Sequence, residues 1–360
     1  MRPQFLAAAL LCALPSAIVS HAAMAQDGPG EATPIVIGNE YTIPSTVFGV
    51  SRKVSVRLPA EYAENPEQSF PVIYVIDGGS AQDFPHIAGI AQSREMNYSF
   101  EPAIIVGIET VNRRSEISPP VRAEMLAEYA EQLRATPGNS AQFRTFIAHD
   151  VKPWVQRNFR ATGHAAIMGE SLAGLFIIET LFEQPDLFDD WIAISPSLWW
   201  DDMKLARSFP NRLKTMKPGP ERIYVALADE GYRLEEGVER LADALRADAP
   251  DGWQWAYVPF GNSETHGTIY HPAALDAWRL MYGTPSRVYK PYGDLASHAF
   301  ALDDGDKAKL ASECTMQNSR RTTPEATRQG QERLFYDCLL YDLGPRAREG
   351  NWGAVTGAGN

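Results

Sequence analysis

The sequence predicts an α/β fold, a mostly parallel sheet with helices on both faces. Three observations carry this. Continuous apolar runs recur along the chain, among them Pro71–Ile76, Ala103–Ile108, Trp191–Ile194 and Ile223–Leu227. Runs of this length without polar alternation suit strands buried on both faces. Helical patterns fill the gaps between them, and strands alternating with helices imply parallel crossovers. Finally, Ala165-Ala166-Ile167-Met168, Gly169-Glu170-Ser171-Leu172-Ala173-Gly174 and Leu175-Phe176-Ile177-Ile178 read as strand, tight turn and helix with a serine at the tip.

Taken in order, the chain opens with Arg2, an apolar stretch from Phe5 to Val19, and Ala23-Met24-Ala25. Positive start, short apolar core and small-x-small site form a secretory signal pattern, with cleavage expected after Ala25. The apolar run is shorter than the roughly 20 residues a membrane span needs, so no span is expected in the mature chain. The expected location is periplasmic or secreted. Residues 26–44 are rich in Gly, Pro and Glu and read as a flexible tail. Arg52 to Leu58 alternates with period two, as a half-exposed edge strand does. Helices are expected over Val121–Leu133, over Ser140–Asn158 with a kink at Pro153, over Leu234–Leu245 and over Pro272–Met281. Trp253–Val258 is the expected last strand. Gly283-Thr284-Pro285 closes a catalytic unit spanning 45–284.

Residues 285–360 read as a C-terminal extension of unknown role, with helical candidates at Asp304–Cys314 and Pro324–Leu340. Cleavage would remove Cys12 and leave Cys314 and Cys338, a plausible disulfide in an exported chain and otherwise two free thiols. The formal net charge is −12, and no Lys/Arg cluster offsets it, which argues against nucleic acid as a partner. The histidines form no metal-ligand spacing, so neither metal nor cofactor is expected.

The chemistry sits at strand ends. Ser171 on its turn is exposed above the sheet edge, with a helix N-terminus behind it to favour negative charge. Ala228-Asp229-Glu230-Gly231 places an acidic turn after a strand, and Glu264-Thr265-His266-Gly267 places a histidine in a polar loop. Serine, acid, histidine is the chain order of the α/β-hydrolase fold. A serine hydroxyl needs a base to become a nucleophile, and an acid to orient and stabilise that base. Ser171 is therefore the candidate nucleophile and His266 the base. Glu230 is the candidate acid, with Asp229 as the alternative; either carboxyl could instead cap the helix that follows. The N–H of Leu172 and one from Gly78 or Gly79 are the candidate oxyanion donors. Trp199 and Trp200 fit a substrate wall or ordinary core packing.

These segments together resemble the bacterial esterase family of the α/β-hydrolase superfamily. That family holds trilactone siderophore esterases of the enterochelin type, S-formylglutathione hydrolases, feruloyl and acetylxylan esterases, and mycolyltransferases. The periplasmic siderophore-esterase-like branch looks most similar. Arg57–Tyr62 with Phe70–Gly78 resembles its opening strands, and Ile105–Ile108 leading to Arg113–Pro119 its site-flanking loop. Gly169–Phe176 resembles the elbow, Ile194–Asp201 the next strand end, and Glu264–Gly267 the histidine loop. Two departures stand out: Ala173 and Ala228 occupy places where the family usually carries glycine. The resemblance implies an exported serine carboxylic ester hydrolase acting on a small-molecule or glycan-linked ester, with Arg114, Trp199 and Trp200 near the substrate. An acyltransferase of the same fold and a non-catalytic binding protein are the competing readings.

Overall fold

The structure, a computed structural model, describes residues 32–96, 100–261, 263–283 and 349–350. Among the described residues nine strands form one sheet: β1 (Asn39–Ile43), β2 (Arg52–Arg57), β3 (Phe70–Ile76), β4 (Ile104–Ile108), β5 (Ala161–Glu170), β6 (Asp190–Ile194), β7 (Arg222–Ala228), β8 (Gln254–Gly261) and β9 (Glu349–Gly350). Their order is β1-β2-β4-β3-β5-β6-β7-β8-β9. Neighbours from β4 through β8 run parallel, while β1, β2 and β9 join antiparallel at the two edges.

The pleat sorts each buried run between two cores. Val72, Tyr74 and Ile76 of β3 face one apolar cluster with the helix Leu172–Glu183, while Ile73 and Val75 face the other with Phe84–Met96 and Tyr270–Tyr282. Helices thus cover both faces, as continuous apolar strands require. Among the described residues no helix is long and apolar enough to cross a membrane.

Three expectations need correction. The stretch 26–44 is not tail throughout, because Asn39–Ile43 forms β1 and pairs with β2 from Asn39↔Val56 to Ile43↔Arg52. Consequently β2 is not an edge strand, and it is largely buried. Its two arginines, one on each face of the strand, find partners far away: Arg52 pairs with Glu116 at 2.7 Å and Arg57 with Glu95 at 2.6 Å. The kink expected at Pro153 is instead a π-helical turn just before it: Ser140–Phe146 and Lys152–Asn158 are joined over Ile147–Val151, within reach of the N–H that Pro153 lacks. The turn carries Asp150, which accepts hydrogen bonds from Ser45 (2.7 Å), Thr46 (2.6 Å) and the Val47 N–H (3.2 Å). Helices occur where expected elsewhere, with Leu126–Leu133 shorter at its start and Tyr232–Asp248 longer at both ends. The helical candidates after residue 285 and the Cys314–Cys338 pair lie outside the described residues, as does the segment 1–25.

Candidate active site

Ser171 stands between β5 and the helix Leu172–Glu183 with φ 62° and ψ −118°. A non-glycine residue rarely adopts this backbone, and it costs on the order of 1–3 kcal/mol. Neighbouring strands hold it there: the Ser171 N–H donates to the Ile194 carbonyl (3.0 Å), and the Ser171 carbonyl accepts from Ser197 (3.1 Å) and Leu175 (2.9 Å). Tight packing behind the turn needs small residues. A Cβ on Gly169 would lie 2.6 Å from the Cβ of Ala173, so the Ala173 methyl occupies the space that Gly169 leaves.

Parallel register then brings chain-distant residues together. His266 lies in the loop between β8 and the helix Tyr270–Tyr282, and its Nε2 is 3.0 Å from Ser171 Oγ. Its Nδ1 is 2.9 Å from Glu230 Oε2, beyond the end of β7. A carboxylate can only accept, so Nδ1 carries the proton and Nε2 accepts from the serine. The Glu230 side chain is 2% exposed and the His266 ring 43%. The carboxylate is therefore shielded while the imidazole stays open to solvent. The second oxygen of Glu230 accepts from Ser195 Oγ, which the sequence had not marked. Ser197 Oγ is 3.4 Å from Ser171 Oγ. The hydrogen bond from Glu230 pushes the His266 pKa above its ordinary value, reinforced by the charges of Glu230 and Glu170 and opposed by burial and Arg113.

Asp229, the alternative acid, is exposed and does not join this chain; its N–H donates to the Glu264 carbonyl (3.3 Å). Leu172 begins the helix, where N–H groups lack an intrahelical acceptor. Gly78 is a correction, because its N–H is committed to the Ile108 carbonyl at 2.9 Å. The Gly79 N–H rests on Gln82 Oε1 at 3.0 Å, a side chain rather than backbone. Trp200 is core rather than wall: it is 3% exposed and donates to the Pro119 carbonyl (3.1 Å). Trp199 is half-buried beside it, with ring centroids 5.9 Å apart. Arg114 is turned to the Leu133 carbonyl (2.8 Å).

Its neighbour Arg113 is the arginine at the site. It binds Asp77 at 2.6 Å and reaches the Glu170 carbonyl at 3.4 Å. Adjacent arginines in one short helix are not distinguishable from sequence; only the partner Asp77, itself held by the Thr110 hydroxyl, selects between them.

Residues 45–274 match the model of the Esterase family. The chain belongs to that family. It is an esterase with the α/β-hydrolase fold, and the relatives it resembles are named as siderophore esterases. It is 28% identical over 254 residues to the ferri-bacillibactin esterase BesA of Bacillus subtilis, covering 64% of this chain and 87% of that one. It is also 28% identical over 205 residues to the siderophore triacetylfusarinine C esterase of Aspergillus fumigatus, covering 54% and 66% respectively. Among solved structures, an IroE-like serine hydrolase from Shewanella oneidensis superposes with a TM-score of 0.63 at 22% identity, covering 86% of this chain and 96% of that one. The siderophore hydrolase EstB of Aspergillus nidulans gives 0.58 at 17%, covering 70% and 97%. At these identities the two structures speak to fold alone.

Proposed function

We propose that this protein is an exported serine esterase that cleaves siderophore-type esters through an acyl-enzyme on Ser171. One observation carries the reading: an unbroken chain of short contacts from Ser171 Oγ through both nitrogens of His266 to the buried Glu230. His266 Nε2 takes the serine proton as Oγ adds to the ester carbonyl, and Glu230 stabilises the imidazolium that results. The oxyanion meets the Leu172 N–H and the positive end of its helix. The Gly79 N–H is the second donor once the Gln82 side chain turns away. Imidazolium Nε2 then protonates the leaving alcohol, and water enters by the same path to release the acid. The substrate class is drawn from the relatives named for siderophore ester cleavage. Export rests on the N-terminal signal pattern, with cleavage after Ala25.

Ser171→Ala is expected to lower kcat by at least about 10³-fold on a trilactone siderophore and on an aryl ester, and to abolish labelling by a fluorophosphonate, with the fold intact by circular dichroism. Retention of most activity in this variant would sink the reading. Mass analysis of the protein from the cell envelope tests export, the expected N-terminus being Gln26.

A further inference from the structure

Glu170 immediately precedes the nucleophile, yet the chain from Ser171 to Glu230 does not use its carboxyl. Alternation along β5 turns it to the same face as Met168, the face covered by the helices Phe84–Met96 and Tyr270–Tyr282. Its Oε1 is buried with no hydrogen-bond partner. Charges from four other segments act on it. His266 comes from the loop after β8, Asp83 from the turn before Phe84–Met96, Glu230 from the loop after β7 and Arg113 from the short helix Arg113–Glu116. Tyr270 opens the helix Tyr270–Tyr282 and feels Asp83, Glu170, Asp77 and Arg113; its buried hydroxyl also lacks a partner. Arg113 makes its ion pair with Asp77 and meets Glu170 only at the carbonyl, so among the described residues the Glu170 carboxyl has no cation paired with it.

We infer that Glu170 is a positioning residue that acts through His266: a second carboxyl whose charge, added to that of Glu230, stabilises the imidazolium formed when Ser171 gives up its proton. The inference rests on the catalytic reading above and adds a group to it. No bond is made to Glu170. Burial pushes its pKa up to about 7, helped by Asp83 and Glu230 and opposed by the His266 cation and Arg113. The coupling runs both ways, since the Glu170 charge in turn raises His266. Asp83 is similarly lifted to about 6 by burial and Asp77, with His86 and Arg113 opposing. A carboxyl that ionises near neutrality beside a general base lets each group favour the other's charged form.

The test is Glu170→Gln, which keeps the shape and removes the charge. In the pH profile of kcat/KM for an aryl ester, the acid limb reports the loss of neutral His266. It should move to lower pH by about half a unit to one unit, and the plateau should fall about three- to tenfold, one unit being a factor of ten. Stability gives an opposite signature. A folded pKa raised above the unfolded value means that the native state loses stability as pH rises between the two. Glu170→Gln should therefore gain Tm over the parent at pH 8 and match it near pH 4. A Tm change with an unmoved acid limb would mean that Glu170 only packs, and would overturn the inference. Should the variant fail to fold, the parent profile decides. Two coupled groups broaden the acid limb beyond a single ionisation, and a limb fitting one ionisation overturns the inference. Fluorophosphonate labelling separates the two readings. Activity surviving Ser171→Ala defeats the catalytic one, whereas an unmoved limb in a Glu170→Gln enzyme that still labels defeats this one alone.

Discussion

Gly169→Ala is the sharpest steric probe of the elbow. The added Cβ would stand 2.6 Å from the Cβ of Ala173, and 3.5 Å from both Ile177 Cδ1 and Ile76 Cβ. Neither side of the closest contact is a flexible chain end. Ala173 Cβ is fixed to the first turn of a helix, and Gly169 is held opposite Ala193 in the sheet. One methyl too many in a packed core costs about 1–3 kcal/mol. Ala173→Gly removes the opposing methyl instead. It should cost about 1–2 kcal/mol, from one buried methyl and the poorer helix propensity of glycine. If the 2.6 Å contact is the cause, the two changes compensate. The double variant carries the same number of methyls as the parent, moved from helix to strand, and should be about as stable as Ala173→Gly alone. Urea denaturation of the four proteins gives the coupling, expected at about 1–3 kcal/mol in favour of the double variant. Fluorophosphonate labelling should fall in Gly169→Ala and recover in the double variant, because a displaced helix carries Ser171 and the Leu172 N–H with it. Additivity within about 0.5 kcal/mol would refute the reasoning. It would mean that the usual glycine is absent at 173 for reasons unrelated to Gly169.

Two further outcomes follow from the charge arrangement. Glu230→Gln should cut kcat about 10²- to 10⁴-fold and move the acid limb of kcat/KM to lower pH, whereas Asp229→Asn should leave both within twofold; the reverse result would reassign the acid. At the opposite end of the sheet, His164 Nε2 contacts the buried Asp190 at 2.7 Å, and that hydrogen bond raises the His164 pKa. A raised histidine pKa stabilises below the unfolded value of about 6.5 and ceases to do so as pH climbs through the folded value. His164→Asn should therefore lower Tm more at pH 5.5 than at pH 9, and an equal loss at both would refute the assignment.

What the sequence revealed, and what it hid, divides along local and non-local physics. The elbow was legible because a strand, a serine turn and a helix are contiguous in the chain. His266 and the acidic turn were legible because both follow apolar strands whose parallel order dictates a common edge. The choice between Asp229 and Glu230 was not legible, since it depends on which side chain turns inward by one residue. β1 was hidden because Asn39–Ile43 gains its order from β2 rather than from its own composition. β2 looked exposed because the carboxylates that bury Arg52 and Arg57 lie 64 and 38 residues away. Gly78 looked like an oxyanion donor because glycine permits close approach; here the approach is to Gly107 and Ile108 of β4, not to a substrate. Arg113 and Arg114 are adjacent in sequence, and only their distant partners, Asp77 and the Leu133 carbonyl, separate them.

Three of the seven non-glycine residues at positive φ among the described residues stand at the carboxyl edge of the sheet. Asp77, Ser171 and Ser195 follow β3, β5 and β6, and all three are non-glycine residues at positive φ, of 58°, 62° and 40°. Each keeps a side chain that glycine would forfeit: Asp77 holds Arg113, Ser171 meets His266, and Ser195 donates to Glu230. If the side chain is the reason for the strain, Ser195→Gly and Ser195→Ala should separate the two contributions. Both lose the hydroxyl and leave one oxygen of Glu230 short of a donor, so both should lose activity to a similar extent. Glycine alone relieves the backbone, by about 1 kcal/mol. Ser195→Gly should thus be more stable than Ser195→Ala, although glycine is ordinarily the less stabilising residue through its backbone entropy. Thermal melts and kcat/KM on the same two proteins decide it. An alanine variant as stable as the glycine variant would show that φ 40° is not a strained conformation here, and that serine stands at 195 for its hydrogen bond alone.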